Sequence, residues 1–188
     1  MYPSKSYLLS NGYKLLIRPA IAEDASKIIK YINHIAGESD NITFGPGEFD
    51  KTVEDEREFL KKINKTPTNI LIIEIINKEI VSLANIQSGN RPRTRHTGGL
   101  GITVQKKYWH MGIGKSMMDY LINWAKSGKI IKKINLEVRE DNFPAIQLYS
   151  KMGFIIEGRI SRMLYINKKF YAVLCMGLKI VDESVKSS

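Results

Sequence analysis

An α/β fold, a mixed sheet flanked by helices, is what this sequence predicts, and three observations carry the prediction. Segments with apolar residues at helical spacing interleave with short alternating or wholly apolar runs, the pattern of helices and sheet sharing one core. At 188 residues the chain has the size of one domain and buries a substantial core without staples. No internal repeat, low-complexity tract or linker interrupts it, so residues 1–188 read as a single domain.

The elements follow in order. Residues 13–20 (YKLLIRPA) read as a first strand closed by Pro19. Residues 23–36 follow at helical spacing, with Ile28, Ile29, Ile32 and Ile35 on one face and Asp24 near the positive helix start. Residues 37–50 form a loop rich in Gly, Asn and Asp. Thr52 begins a second helix with acids in its first turn, running to about residue 65. After a turn at 66–69, the runs at 70–76 and 80–87, joined by Asn77-Lys78-Glu79, read as a hairpin. Residues 88–95 are a basic loop containing Pro92. Leu100, Ile102 and Val104 alternate with Gly101 and Thr103, a strand with one buried face. Gly112 opens a helix whose Ile113, Met117, Tyr120, Leu121 and Trp124 form one stripe, ending near Gly128. Ile134, Leu136 and Val138 make another strand. A short helix at 144–152 has Pro144 at its start and Gly153 past its end. Two last strands, 154–165 and 171–180, flank a turn at Asn167-Lys168-Lys169.

Composition excludes several classes. With 43% apolar and 26% charged residues the chain is neither disordered, collagenous nor coiled-coil. No apolar run approaches the roughly 20 residues that cross a bilayer. The start, MYPSKS, lacks the charged-then-apolar order of a secretory signal, so a cytoplasmic location without membrane contact is expected. One cysteine and three histidines argue against a disulfide and a structural zinc site, and no metal is expected. Cys175, among apolar strand residues, reads as inert core rather than as a nucleophile.

The net charge of +10 is split: residues 22–60 hold 10 of the 19 acids and only four bases, a net −6, which leaves +16 on the remainder. A protein handling an anion on one side and a cation on the other has this signature, and so does a nucleic-acid binder with an acidic appendage. The bases form no single run, and no helix-turn-helix, zinc-finger or ribonucleoprotein motif is present, so no nucleic-acid partner is expected.

Two segments carry chemistry. In VQKKYWHMGIGK (104–115) a strand leads through a turn into a helix opening on Gly112-Ile113-Gly114, where glycine permits close backbone approach and the helix start favours a phosphate. A dinucleotide fingerprint needs glycine where Met117 stands, and a P-loop needs it where Trp109 stands. Both fail, which leaves a phosphate grip or mere close packing. The second segment, NLEVREDNFPAIQLYSKMGFIIEG (135–158), is strand, polar turn, helical turn and strand entry.

Together these segments resemble the GCN5-related N-acetyltransferase (GNAT) superfamily, nearest to its ribosomal-protein and polyamine branches. The family's motif A, Gln/Arg-x-x-Gly-x-Gly/Ala, is similar to Trp109-His110-Met111-Gly112-Ile113-Gly114, with tryptophan departing at the first place. Motif B is similar to Leu136-Glu137-Val138, Asn142, Ala145, Leu148-Tyr149 and Gly153-Phe154.

The resemblance implies a twisted, mostly antiparallel sheet splayed between its middle strands, with acetyl-CoA as co-substrate in a V-shaped gap between 100–105 and 134–139. It implies direct transfer of acetyl to a primary amine in a ternary complex. Ile102, Thr103 and Val104 would offer backbone groups to the pantetheine arm. Amides of His110, Met111, Gly112, Ile113, Gly114, Lys115 and Ser116 would cradle the diphosphate, and Lys106, Lys107, Lys115 and Arg139 could meet other phosphates. Asn142 would hold the pantetheine or an adjacent backbone group, and Tyr149 would protonate the departing thiolate. The glutamate often used as base is replaced by Gly99, which moves the role to Glu137, with His96 behind it. In the family the first two helices and their loop cover the acceptor side, so the acidic stretch would steer a cationic amine, with Glu48 and Asp50 as its carboxylates. Glu54, Asp55, Glu56 and Glu58 instead complement a helix start. The expected acceptor is a small polyamine-like or aminoglycoside-like amine, with a protein or peptide N-terminus as the near alternative, and a homodimer is compatible with all of this. Gly99 also leaves open a non-catalytic acetyl-CoA sensor.

Overall fold

The computed structural model describes residues 2–9 and 12–181. Two N-terminal strands, β1 (Lys5–Leu8) and β2 (Lys14–Pro19), precede α1 (Ala25–Ala36) and α2 (Val53–Lys65). The hairpin β3 (Ile70–Ile76) and β4 (Glu79–Ser88) leads to β5 (Thr97–Val104) and α3 (Ile113–Gly128). Then come β6 (Lys133–Arg139), α4 (Phe143–Lys151), β7 (Ile155–Ile166) and β8 (Lys169–Lys179). The described strands form one sheet in the order β1-β2-β3-β4-β5-β6-β8-β7. Every pairing is antiparallel except that of β5 with β6. Each element expected from the sequence is present within a few residues. Strand β1 was not expected: KSYL is too short and too polar to announce itself and owes its place to pairing with β2.

The core lies on both faces of the sheet. On β3 the residues Ile70, Ile72 and Ile76 pack with α3 and α4 side chains, while Leu71 and Ile73 pack against α1 and α2. A central strand covered on both faces reads as an unbroken apolar run, and ILIIEII is one but for a single acid. Each of its fully buried isoleucines contributes about 1.5–3 kcal/mol of transfer free energy. Asn77 and Lys78 both take left-handed backbone to close the hairpin, as does the pair Asn167 and Lys168 between β7 and β8.

The middle of the sheet is where the site is made. Strands β5 and β6 pair over only three positions, Thr97↔Lys133, Gly98↔Ile134 and Gly99↔Asn135. Beyond these, β5 stays paired with β4 as far as Ser82↔Val104, and β6 with β8 as far as Arg139↔Val173. From Leu100 and Leu136 onward the two strands are each held on one side and open on the other, which is a V. Gly98 permits the close approach at its joined end, since a Cβ there would sit 2.5 Å from Ile86 Cγ2.

Candidate active site

Helix α3 begins at the open end of this V. Its N-cap, Gly112, has φ +82°, and His110 just before it has φ +62°. Left-handed backbone suits glycine, and no side chain caps the helix. Its first amides therefore point outward unpaired, at the positive end of the helix. Gly114 has a packing role as well, because a Cβ there would meet Leu148 Cδ2 of α4 at 3.0 Å. The close-packing reading of this glycine pair thus applies at Gly114, while Gly112 has nothing within 4 Å of where a Cβ would stand.

The structure narrows the expected cradle. The Ser116 N–H bonds Gly112 O at 3.0 Å, and its Oγ lies 2.7 Å from Glu74 Oε1 and 2.8 Å from Ile113 O. Ser116 is thus used inside the protein, which leaves the first-turn amides of Ile113, Gly114 and Lys115 as the uncapped part of the cradle. Lys115 pairs with Asp119 at 2.7 Å. Of the β5 carbonyls, that of Thr103 accepts from the Ser82 hydroxyl and that of Val104 from the Trp109 indole N–H, both at 2.8 Å. The open part of this edge is therefore around Ile102. The departure of Trp109 from the family pattern acquires a role: it ties the loop to the end of its strand.

Glu74 escaped sequence reasoning because it sits inside an isoleucine run. It is fully buried beneath the first turn of α3, and Oε2 has no hydrogen-bond partner. Burial pushes its carboxyl up to about 8 against the opposing pull of the Ser116 hydrogen bond. The Ser116 hydroxyl donates to Glu74 Oε1 and shares its one hydrogen with Ile113 O. Desolvation thus favours the neutral form of the Glu74 carboxyl.

On α4, Tyr149 is buried with its ring 6.0 Å from that of Phe154. Its hydroxyl makes no hydrogen bond among the described residues, and burial pushes the phenol up to about 12. Asn142 caps α4, its Oδ1 accepting the Ala145 N–H at 3.4 Å. This is the backbone-holding role of the two expected for it.

The opposite face of the V is polar. Ile134, Leu136 and Val138 join the core under α3 and α4, so Asn135, Glu137 and Arg139 face the other way. Glu137 is exposed there, in register with Cys175 of β8, which is half-buried rather than core. Gly99 and Gly101 put no side chains beside them. Asn135, at the joined end of the V, holds a buried Oδ1 without a partner. Its register with Gly99 was the only signal of it, and register is not legible in one sequence. His96 precedes β5 at that joined end, with its carbonyl taken by the Lys132 and Lys133 amides, and it is not brought to the gap.

The loop at 37–52 crosses the open end. Glu38 Oε2 accepts the Lys106 N–H beyond β5 at 2.9 Å, and Arg139 at the end of β6 donates to Asp40 O at 2.9 Å. Arg139, a candidate for phosphate, also pairs with Asp141 at 2.6 Å and stacks on Tyr171 at 3.9 Å, so it serves the framework. Several acids of the negative stretch are neutralised locally: Asp24 by Arg18, Glu54 by Arg57, Glu58 by Lys61. Glu56, expected to complement the helix start and indeed in the first turn of α2, is also buried 3.6 Å from Lys51, and desolvation raises its carboxyl. Asp40, Glu48 and Asp50 form no ion pair among the described residues. Glu48 accepts the Gly45 N–H at 2.9 Å, and Asp50 is exposed.

Residues 34–154 match the model of the Acetyltransferase (GNAT) family. The chain belongs to this family. GNAT acetyltransferases move acetyl from acetyl-CoA to an amine, and the open strand edges and uncapped α3 start fit that co-substrate. A solved acetyltransferase of the GNAT family from Streptococcus pneumoniae is 34% identical, with TM-score 0.86, covering 89% of this chain and 99% of its own. YncA of Salmonella typhimurium, solved with its cofactor acetyl-CoA, has TM-score 0.78 over 91% of this chain and 96% of its own. At 14% identity that likeness speaks for the fold. L-amino acid N-acetyltransferase AaaT of Escherichia coli (strain K12) is 32% identical over 87 residues, 46% of this chain, which spans about half (54%) of that enzyme's length. Among the described residues no helix is long and apolar enough to cross a membrane.

Proposed function

We propose that this GNAT acetyltransferase acts on a small amine bearing more than one amino group, of polyamine-like or aminoglycoside-like kind. The observation that carries this reading is the 37–52 loop, fastened to both arms of the V through Glu38 and the Asp40 carbonyl and carrying Asp40, Glu48 and Asp50, which form no ion pair among the described residues. A cationic acceptor gains there by steering, and a second amino group gains a partner such as Glu48 or Asp50.

Acetyl-CoA supplies an activated acyl group, and the residues of the chain do the rest. Amides of His110, Met111, Gly112, Ile113, Gly114 and Lys115 hold the diphosphate, and the β5 edge around Ile102 orients the pantetheine. Glu137 accepts the proton of an amine whose ordinary pKa is near 10. Asn135 Oδ1 orients that amine through its free lone pair. As the amine nitrogen bonds the acyl carbon and the carbon–sulfur bond breaks, Tyr149 donates its hydrogen to the sulfur. A thiol has an ordinary pKa near 8.5, so a phenol at about 12 acts mainly through a hydrogen bond to developing charge. The burial that raises the phenol also raises the thiolate and narrows that gap.

A thiol-release assay across spermidine, kanamycin, N-terminal peptides and free L-amino acids tests the reading. The polyamine and aminoglycoside are expected to give the highest kcat/KM. Glu137→Gln lowers kcat about 100-fold at pH 7, the scale of general-base catalysis. A clear preference for peptides, or no release with any acceptor, overturns it. The similarity to AaaT favours a second reading, the α-amine of an L-amino acid, and a preference for that arm would replace the first. Against it, an acceptor carboxylate would have to approach Asp40, Glu48 and Asp50.

A further inference from the structure

A cavity with a cationic rim lies on the other side of β5 from the V. It has a volume of about 350 Å³ and sits between α1, the β3–β4 hairpin and the end of β5. Tyr31, Ile80 and Gln105 form its buried floor, and Lys27, Lys30, Lys78 and Lys107 its rim. Helix α1 packs on the sheet face opposite α3, so this cavity and the diphosphate cradle are on different faces.

Two independent features of the cavity ask for a ligand. The first is charge. Lys30 and Lys78 form no ion pair among the described residues, Lys27 feels Asp24 only through space, and Lys107 reaches the exposed Glu79 at 3.7 Å. Four ammonium groups thus ring an opening whose nearby carboxylates are Glu79 and Glu38, the latter paired with His34 of the lining at 3.0 Å. The second is an unmet acceptor. Gln105 is 7% exposed, donates through Nε2 to Ile80 O at 3.0 Å, and has a buried Oε1 with no partner. A buried amide oxygen left unpaired costs about 1–3 kcal/mol, which a donor from a bound molecule would recover.

We infer that this cavity binds a small phosphate monoester whose neighbouring hydroxyl donates to Gln105 Oε1 while the lysines hold the phosphate. Lysine is a point-charge binder of phosphate, and an excess of several positive charges suits a dianion better than a carboxylate. The site opens against the cofactor loop: Gln105 is its first residue, Lys107 its third, and the Tyr108 N–H bonds Gln105 O at 2.9 Å. The inference rests on cavity and charge and stands apart from the choice of acceptor.

Calorimetry on the full chain with ribose 5-phosphate as probe, and with ribose, inorganic phosphate, CoA and dephospho-CoA alongside, tests it. Ribose 5-phosphate is expected to bind, inorganic phosphate more weakly, and ribose not at all. Binding should persist at saturating CoA. The double variant Lys30→Gln, Lys78→Gln, changed only at rim positions, should weaken ribose 5-phosphate tenfold or more and leave CoA unchanged. No heat with ribose 5-phosphate, or binding that the double variant does not weaken, overturns the inference. So does simple competition by CoA, which would send the phosphate to the cradle. A double variant that weakens CoA but not dephospho-CoA also overturns it, because the phosphate held would then be the co-substrate's own.

Discussion

Helix α2 starts on Thr52, whose hydroxyl accepts the Asp55 N–H at 3.1 Å while the Asp55 carboxylate accepts the Thr52 N–H at 3.1 Å. Helix α3 starts on Gly112, with no side chain capping its amides. Both face solvent at one end and both bury an apolar stripe. The difference is that α2 satisfies its own N-terminus from its own sequence and α3 leaves that task to something else. A helix that omits a cap worth about 1 kcal/mol, at the mouth of a split sheet, leaves its positive end open, which is why we propose it as the diphosphate site.

Converting the second start into the first is the harshest way to break this comparison. Gly112→Asp places a carboxylate where the diphosphate belongs, on a residue type that tolerates left-handed backbone. Acetyl-CoA affinity, read by calorimetry, should fall by two to three orders of magnitude, with thermal stability little changed. An unaltered affinity would mean that the amides at α3 hold nothing. Tyr149 sharpens the comparison from the third helix start, because Asn142 caps α4 as Thr52 caps α2. A capped helix binds no phosphate, so its contribution has to be chemical. Tyr149→Phe should lower kcat about 100-fold while acetyl-CoA affinity stays within about twofold. A loss confined to cofactor affinity would instead make Tyr149 a packing residue.

Glu74 asks how much the exposed dipole of α3 is worth from beneath. Its carboxyl is raised in the folded protein, the reverse of the common case, so the sign has to be worked out. Between about 4.5, the ordinary carboxyl value, and about 8 the folded state holds a proton that the unfolded state has released. Stability therefore falls as pH rises across that window and is flat above it. Urea denaturation of the wild-type chain should lose about 2 kcal/mol between pH 6 and pH 9 from this group. Glu74→Gln, which keeps an acceptor for the Ser116 hydroxyl and carries no charge, should remove that part of the slope. Ionised Glu74 also lies under the diphosphate cradle, so acetyl-CoA affinity should weaken past pH 8 in the wild type and less in the variant. Identical slopes in the two chains would show Glu74 to be ionised throughout.

How far the molecule was legible in its sequence follows the range of the forces involved. The helix start at Gly112, the cap at Thr52 and the hairpin turn at Asn77-Lys78 are decided within a few residues, and each is where local chemistry put it. The run ILIIEII announced a buried strand correctly, yet nothing local told that Glu74 would lie under α3, because that contact joins residues 42 apart. The same holds for Asn135 beside Gly99 and for Gln105 under the hairpin: orphan polar atoms are defined by what is missing around them in space. Glu56 shows both sides. Its place in the first turn of α2 was legible, and its burial was not.

Thr52→Ala is the mildest test and the control for the rest. It removes both hydroxyl contacts with Asp55 and leaves one amide of α2, Asp55 N–H, to water, which should cost about 1 kcal/mol in urea denaturation. Losing the Thr52 hydroxyl also releases the hydrogen bond that holds Asp55 below the usual carboxylate range, so the small loss should shrink at acid pH. Acetyl-CoA affinity should not move. If it did, the two helix starts would be coupled through the sheet, and the argument that α2 keeps the framework while α3 keeps the ligand would fail at its first premise.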